Sequence, residues 1–200
     1  MFYTEEQGHA PLPFDPFKAI IAPRPIGWIS TVDTQGRPNL GPYSFFNAVA
    51  AKPNMIGFSS TGYKDSARNA SDTGEFVFNL AGMELLHEMN RTSQEVDFGI
   101  SEFDLARLEM APCRLVKAPR VAAAAASLEC RLISCTELVA LDGRPTDNWW
   151  VVGQVVATHI DDRFIKDGRF DTAGARPLSR CGYHDYAVVE RVFELKRPPR

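Results

Sequence analysis

Alternation of apolar and polar positions, rather than helical periodicity, organises most of this chain. Ile26-Gly27-Trp28-Ile29-Ser30-Thr31-Val32 is rich in β-formers and runs into Asp33-Thr34-Gln35-Gly36, a turn cluster that predicts a hairpin. The strand pattern continues in Tyr43-Ser44-Phe45-Phe46, in Met55-Ile56-Gly57-Phe58 and in Glu75-Phe76-Val77-Phe78-Asn79-Leu80. Further on, Leu128, Cys130 and Leu132 alternate with Glu129 and Arg131, the period of a half-buried strand. Asp142-Gly143 turns the chain toward Trp149 to Ile160, a long β-branched run, and Tyr186 to Leu195 reads as a last strand. Helical signals are few and short. Asp65 or Ser66 can cap a two-turn helix that stops at Gly74. Met83 to Arg91 places Leu85, Leu86 and Met89 at helical spacing, and Ser101 to Leu108 offers Phe103, Leu105 and Leu108 as an apolar face. Many strands of similar length with two or three short helices predict a mostly β, α+β chain closed or partly closed into a β-barrel. There is no regular βαβ alternation and no G-x-G-x-x-G, which argues against a Rossmann dinucleotide domain.

Composition narrows the class without changing the fold. The 200 residues suit one domain over 1–200, with arms at about 1–18 and 196–200 where prolines such as Pro11, Pro13, Pro198 and Pro199 cluster. Hydrophobic residues at 44% against charged residues at 24% exclude a disordered chain. A net charge of −3 gives no bulk excess of basic charge for nucleic acid. No apolar run approaches the about 18 residues a membrane helix needs. Met1 to Glu6 carries acid where a signal peptide has a basic region, so a soluble cytoplasmic protein is expected. The cysteines at 113, 130, 135 and 181 form no C-x-x-C, and His9, His87, His159 and His184 show no zinc-like spacing, so no metal site is expected.

The chemistry concentrates between Thr31 and Asn79. Asn39 to Asn47 mixes β-formers with hydrogen-bonding side chains. Ser59 and Ser60 end a strand and lead into Thr61-Gly62-Tyr63-Lys64-Asp65-Ser66 at the start of the short helix. Hydroxyls, a lysine and free helix N–H groups at one place suit a phosphate. The plainer reading leaves Asp65 and Ser66 as caps with Lys64 in water. Spacing alone leaves both open.

Pro23-Arg24-Pro25-Ile26-Gly27-Trp28-Ile29-Ser30-Thr31, then Asn39 to Asn47, Phe58-Ser59-Ser60 and Lys64-Asp65-Ser66 together resemble the flavin reductase-like family. The likeness continues through Gly74 to Leu80, Gly153 to Asp162 and Pro177 to Tyr183, in the right order and over nearly the whole chain. That family folds as an FMN-binding split barrel. It includes flavoredoxins and reductase components of flavin monooxygenases. The resemblance implies FMN as cofactor, with Ser44, Phe45 and Asn47 on the isoalloxazine and ribityl chain. It sets Ser59 and Ser60 toward the ribityl-phosphate end, with Lys64 and Ser66 on the phosphate. Phe45 and Phe46 have a rival role as core packing, and alternation assigns it to one of the two. Asn47 has a rival role satisfying a turn.

His159 falls where similar proteins often carry a histidine, and there it implies a catalytic polar group beside the flavin or nicotinamide. The alternative is a strand-end histidine bonded to backbone. Arg180 and Tyr183 match the family's late Arg-x-Gly segment, with Cys181 where an aliphatic residue is common. Trp149 and Trp150 suit either core or a subunit contact. The resemblance further implies a homodimer, NADH or NADPH as electron donor, and a partner oxygenase or other redox partner. An FMN-binding electron carrier without its own NAD(P)H oxidation is the alternative function, since fold does not fix activity. A pyridoxamine-phosphate-type oxidase relative fits Lys64-Asp65-Ser66 less well.

Overall fold

The computed structural model describes residues 1–4, 6–9, 12–94, 96 and 100–198. Pro11 and Pro199 of the expected arms, and Glu5 of the N-terminal stretch, lie outside them. A short helix α1 (Phe17–Ile20) precedes β1 (Arg24–Pro25), β2 (Gly27–Val32), β3 (Pro38–Tyr43), β4 (Phe46–Ala51) and β5 (Asn54–Thr61). Helix α2 (Asp65–Thr73) leads to β6 (Glu75–Leu80), and a 3-10 turn (Met83–Leu85) opens α3 (Leu86–Arg91), followed by α4 (Glu102–Ala106). Then come β7 (Met110–Ala111), β8 (Arg120–Val121) and the two long strands β9 (Ala126–Val139) and β10 (Pro145–Ile160). The chain closes with β11 (Ile165–Lys166), β12 (Arg169–Phe170), α5 (Thr172–Ala175), β13 (Leu178–Gly182) and β14 (Asp185–Val188).

Seven strands form one antiparallel sheet in the order β3-β2-β6-β9-β10-β5-β4. Its two edges, β3 and β4, are joined by Ser44 and Phe45 alone. Laid flat, six strand spacings would part those edges by about 29 Å, which two residues cannot span. The sheet must therefore roll until its edges meet. Side chains seal the seam where no ladder does. The Tyr43 ring sits 4.7 Å from that of Phe58, and Phe46 stacks on Phe78 at 4.9 Å. Inside the roll, Ile29, Phe58, Phe76, Cys130 and Val151 are fully buried, and α2 plugs one side with Ala67 and Ala70. A second core lies on the outer face, where Trp28, Leu40, Met89, Phe103 and Val121 are covered by α3, α4 and the small sheet β1-β13-β14. Trp28 Nε1 donates to Thr92 Oγ1 at 2.9 Å, so its one polar atom is satisfied there.

Gly153 marks the tightest place in the barrel. A Cβ there would lie 2.4 Å from Phe76 Cε1 and 3.1 Å from Cys130 Cβ, both on fully buried residues. Gly153→Ala is therefore expected to destabilise by about 1–3 kcal/mol through overpacking, read as a lowered midpoint in urea. An unchanged midpoint would mean the barrel gives way at no cost.

The structure adjusts several sequence expectations. Tyr43 to Phe46 is not one strand but the seam between two, because the edges of the roll meet at Ser44 and Phe45. The last strand stops at Val188. Beyond it Val192, Phe193 and Leu195 stand exposed with no neighbouring strand among the described residues. The cap of α2 is Lys64 rather than Asp65 or Ser66, in extended conformation and without a side-chain cap bond. Gly74 ends that helix as expected, at φ 75°. Trp150 covers Gly57, and Trp149 packs on the barrel core and 4.5 Å from the Tyr63 ring. No helix among the described residues is long and apolar enough to cross a membrane.

Candidate functional site

Rolling the sheet brings the start of α2 against β3. Ser66, in the first turn, is buried, and its Oγ accepts from Asn39 Nδ2 at 2.9 Å. Asn39 and Asn69 both donate to Thr31 Oγ1, at 3.3 and 3.2 Å, so a buried polar web fixes where Ser66 sits. Tyr43 hydrogen bonds with Ser66 and Ser60, while burial pushes its phenol up. Glu102 reaches in from α4 and accepts from the Leu40 N–H at 3.0 Å; burial raises its carboxyl. These groups and Lys64 line a groove of about 400 Å³. The helix N-terminus, the Ser66 hydroxyl and Lys64 offer donors that suit a phosphate; of the two acids in the lining, Asp65 is paired with Arg68 and burial raises Glu102.

The groove passes Pro42 and Ser93, which line both sides, into a second cavity of about 440 Å³. Ser44 faces it from the barrel seam and Met89 from α3, and Lys18, Arg24, Arg180 and His184 line the rest. Phe45, beside the seam, lies under two cations: Lys18 Nζ at 6.0 Å and the Arg24 guanidinium at 5.8 Å from the ring centroid. Arg24 is 7% exposed and its guanidinium donates to the Lys18 carbonyl.

The residues expected in the site therefore divide. Lys64 and Ser66 line the groove and Ser44 the adjoining cavity. Ser60 is buried beside them, but its hydroxyl donates to the Gly62 carbonyl at 2.8 Å and so shapes the loop. Ser59 is half-buried on β5 opposite Trp150. Asn47 is exposed on the edge strand β4, its Oδ1 accepting from the Ala48 N–H at 2.8 Å.

His159 has a partner the sequence did not suggest. Its Nε2 lies 2.6 Å from Oε1 of Glu129, which is fully buried. Glu129 also accepts from the backbone N–H groups of Arg114, Leu115 and Val116 at 2.8, 2.6 and 3.1 Å. Burial would push this carboxyl up, but the Arg114 N–H, His159 and the Leu115 N–H outweigh it and hold it below its usual value. Cys113, Glu129 and His159 put ligand-type atoms within 4.8 Å of one another. Both Glu129 oxygens are already engaged, however, and burial pushes the Cys113 thiol up to about 12, far from a thiolate ligand. The cavity beside His159, about 530 Å³ with Arg114 and Arg120, shares no lining residue with the groove at Lys64 or the cavity at Arg24.

Missed by sequence reasoning were Arg24 and Lys18 in the cationic cavity and Glu129 under the 113–118 loop. Arg24 carried a signal, since it stands inside the Pro23-Arg24-Pro25 motif. Glu129 carried none, because it occupies a polar position in an alternating strand.

Residues 21–174 match the model of the flavin reductase like domain. Component B of nitrilotriacetate monooxygenase from Bacillus cereus is 29% identical and superposes with a TM-score of 0.87, over 98% of this chain and 99% of that one. A structure with a split barrel domain from Shewanella frigidimarina NCIMB 400, at 22% identity, shares the fold with a TM-score of 0.83 over 100% and 99% of the two chains. An uncharacterized protein of Halalkalibacterium halodurans is 31% identical over 183 residues, 89% of this chain and 87% of its own. The rolled sheet is thus the expected split barrel, and the chain belongs to the flavin reductase-like family.

Proposed function

We propose that the protein binds FMN and reduces it with NADH or NADPH, supplying reduced flavin to a partner oxygenase. The observation that carries this reading is the groove at the start of α2, where Lys64 and Ser66 offer donors to a phosphate, opening past Pro42 onto Ser44. When bound there, FMN supplies the hydride-accepting chemistry, and the protein supplies binding and alignment. In this reading Lys64 holds the phosphate by charge and Ser66 by its hydroxyl. Asn39, Tyr43 and Thr31 fix Ser66 in place. Pro42 and Ser44 meet the ring at the mouth of the adjoining cavity, and the cations around Phe45 stay open beyond it. A phosphate arriving beside Glu102 favours the protonated carboxyl, which burial already promotes. His159 is a positioning residue here, clamping Glu129 and with it the loop at Arg114.

The same reading makes the protein a cytoplasmic homodimer. Its four cysteines are all free, as suits a reducing compartment. Apolar side chains stand exposed along the edge strand and the β9–β10 hairpin, with Val49 at 46%, Ile133 at 55% and Val139 at 66%. A second copy would cover them, and light scattering should then give about twice 22.2 kDa.

The test is direct. The purified protein should be yellow or turn yellow with FMN, and it should oxidise a nicotinamide donor faster when FMN is added. FMN binding without oxidation of either donor would replace this reading with an electron carrier. No flavin binding at all would remove both.

A further inference from the structure

We propose that the cavity lined by Lys18, Arg24, Arg180 and His184 docks the phosphates of a 2′-phosphorylated nicotinamide dinucleotide, so that the protein prefers NADPH to NADH. This rests on the reading of the neighbouring groove as a flavin site, since a hydride donor must dock beside its acceptor.

The cavity brings three positive side chains together from segments far apart in sequence. Lys18 comes from α1, Arg24 from β1 and Arg180 from β13, and among the described lining residues there is no Asp or Glu. Arg24 and Arg180 sit opposite one another in the β1–β13 ladder. Burial and the charge of Arg180 both disfavour the Arg24 cation, with only Cys181 pulling the other way. Arg24 Nε is buried and has no hydrogen-bond partner among the described residues. Arg180 is held by the Tyr183 carbonyl at 2.5 Å and lies 4.5 Å over the Tyr186 ring, which fixes its direction without neutralising it. Like charges held together around one cavity, with Arg24 buried and carrying an unused donor, are stabilised by a polyanion.

The sign of the cavity favours the donor that carries the additional phosphate. In βαβ dinucleotide domains a carboxylate reads the ribose 2′-hydroxyl and arginine the 2′-phosphate, and the same charge chemistry carries over to this cavity on a different fold. Here the cations are present and the carboxylate is absent from the described lining. A volume of about 440 Å³ suits part of a dinucleotide, and Tyr183 at the rim, 48% exposed, offers a face for the base.

Isothermal titration calorimetry with 2′,5′-ADP and 5′-AMP tests this, because neither probe can deliver a hydride. The wild-type protein should bind 2′,5′-ADP at least about tenfold more tightly than 5′-AMP, the scale of one charge-assisted contact set. The preference should fall with salt. Arg180→Met should reduce it to about twofold or less. Lys18→Met, on an exposed side chain and so safe for folding, should reduce it in part. Saturating FMN should leave 2′,5′-ADP affinity unchanged. Equal affinity for the two probes overturns the proposal. So does competition between 2′,5′-ADP and FMN, which would give the cavity to the flavin phosphate, or tighter binding of benzoate, which would give it to an aromatic acid. A protein that keeps the 2′,5′-ADP preference yet binds no FMN sinks the flavin reading and supports the cavity.

Discussion

Glu129→Ala is expected to destabilise the fold by about 3–5 kcal/mol, the cost of breaking a buried, fully bonded charge site. Three backbone N–H groups lose their acceptor, and His159 loses its partner, around a carboxylate that is itself fully buried. In a chain of this length that is a fall of roughly 6–20 °C in melting temperature, provided unfolding is two-state. His159→Ala should cost less, about 1–2 kcal/mol, because the three N–H groups keep their carboxylate. Equal losses would show that the imidazole, and not the loop, depends on Glu129. The pH dependence has a definite sign. Since the folded protein holds Glu129 below its usual pKa, the carboxylate stabilises fully above the unfolded value near 4.5, and this is lost as pH falls through the folded value. Glu129→Gln should flatten that acid limb in urea titrations between about pH 5 and 3.

Glu129 also shows what alternation can and cannot tell. Leu128, Cys130 and Leu132 point to the barrel interior as their period predicts, but Glu129 on the other face is buried too, under the 113–118 loop. Period two reports which face a residue is on, not whether a later loop covers that face. The Asp33–Gly36 hairpin and the helix ending at Gly74 were readable because each depends on neighbours in sequence. Closure into a barrel was readable from the many strands of similar length, but the strand order and the β3–β4 seam were not, since they follow from which strands pair and the seam falls inside an unbroken β-forming run. The site divides in the same way. Lys64 and Ser66 follow Ser60 by four and six positions at one helix start, so the sequence offered them together, with the phosphate role implied by the resemblance. Arg24 acts with Arg180, and His159 with Glu129, across distances in sequence that no motif spans.

Lys64→Glu is expected to weaken FMN binding on the order of 100-fold while leaving riboflavin within about threefold. Lys64 is the N-cap of α2, and its side chain makes no cap bond, so the helix does not need lysine there. A glutamate at that end is compatible with the helix dipole, which favours negative charge near the N-terminus. What the substitution changes is the potential at the groove, where a phosphate dianion meets an acid instead of an ammonium and Asp65 already stands next in the chain. Lys64→Ala removes the attraction without adding repulsion and should cost about tenfold, a figure kept low because the side chain is exposed and solvent screens it. Both losses should shrink at 0.5 M salt, whereas a packing defect would not respond. Titration of the apoprotein, followed by flavin fluorescence alongside a melting curve for each variant, separates these outcomes. If riboflavin and FMN weaken together in a variant that melts like the parent, Lys64 does not hold the phosphate, and the groove must be entered by the flavin the other way round.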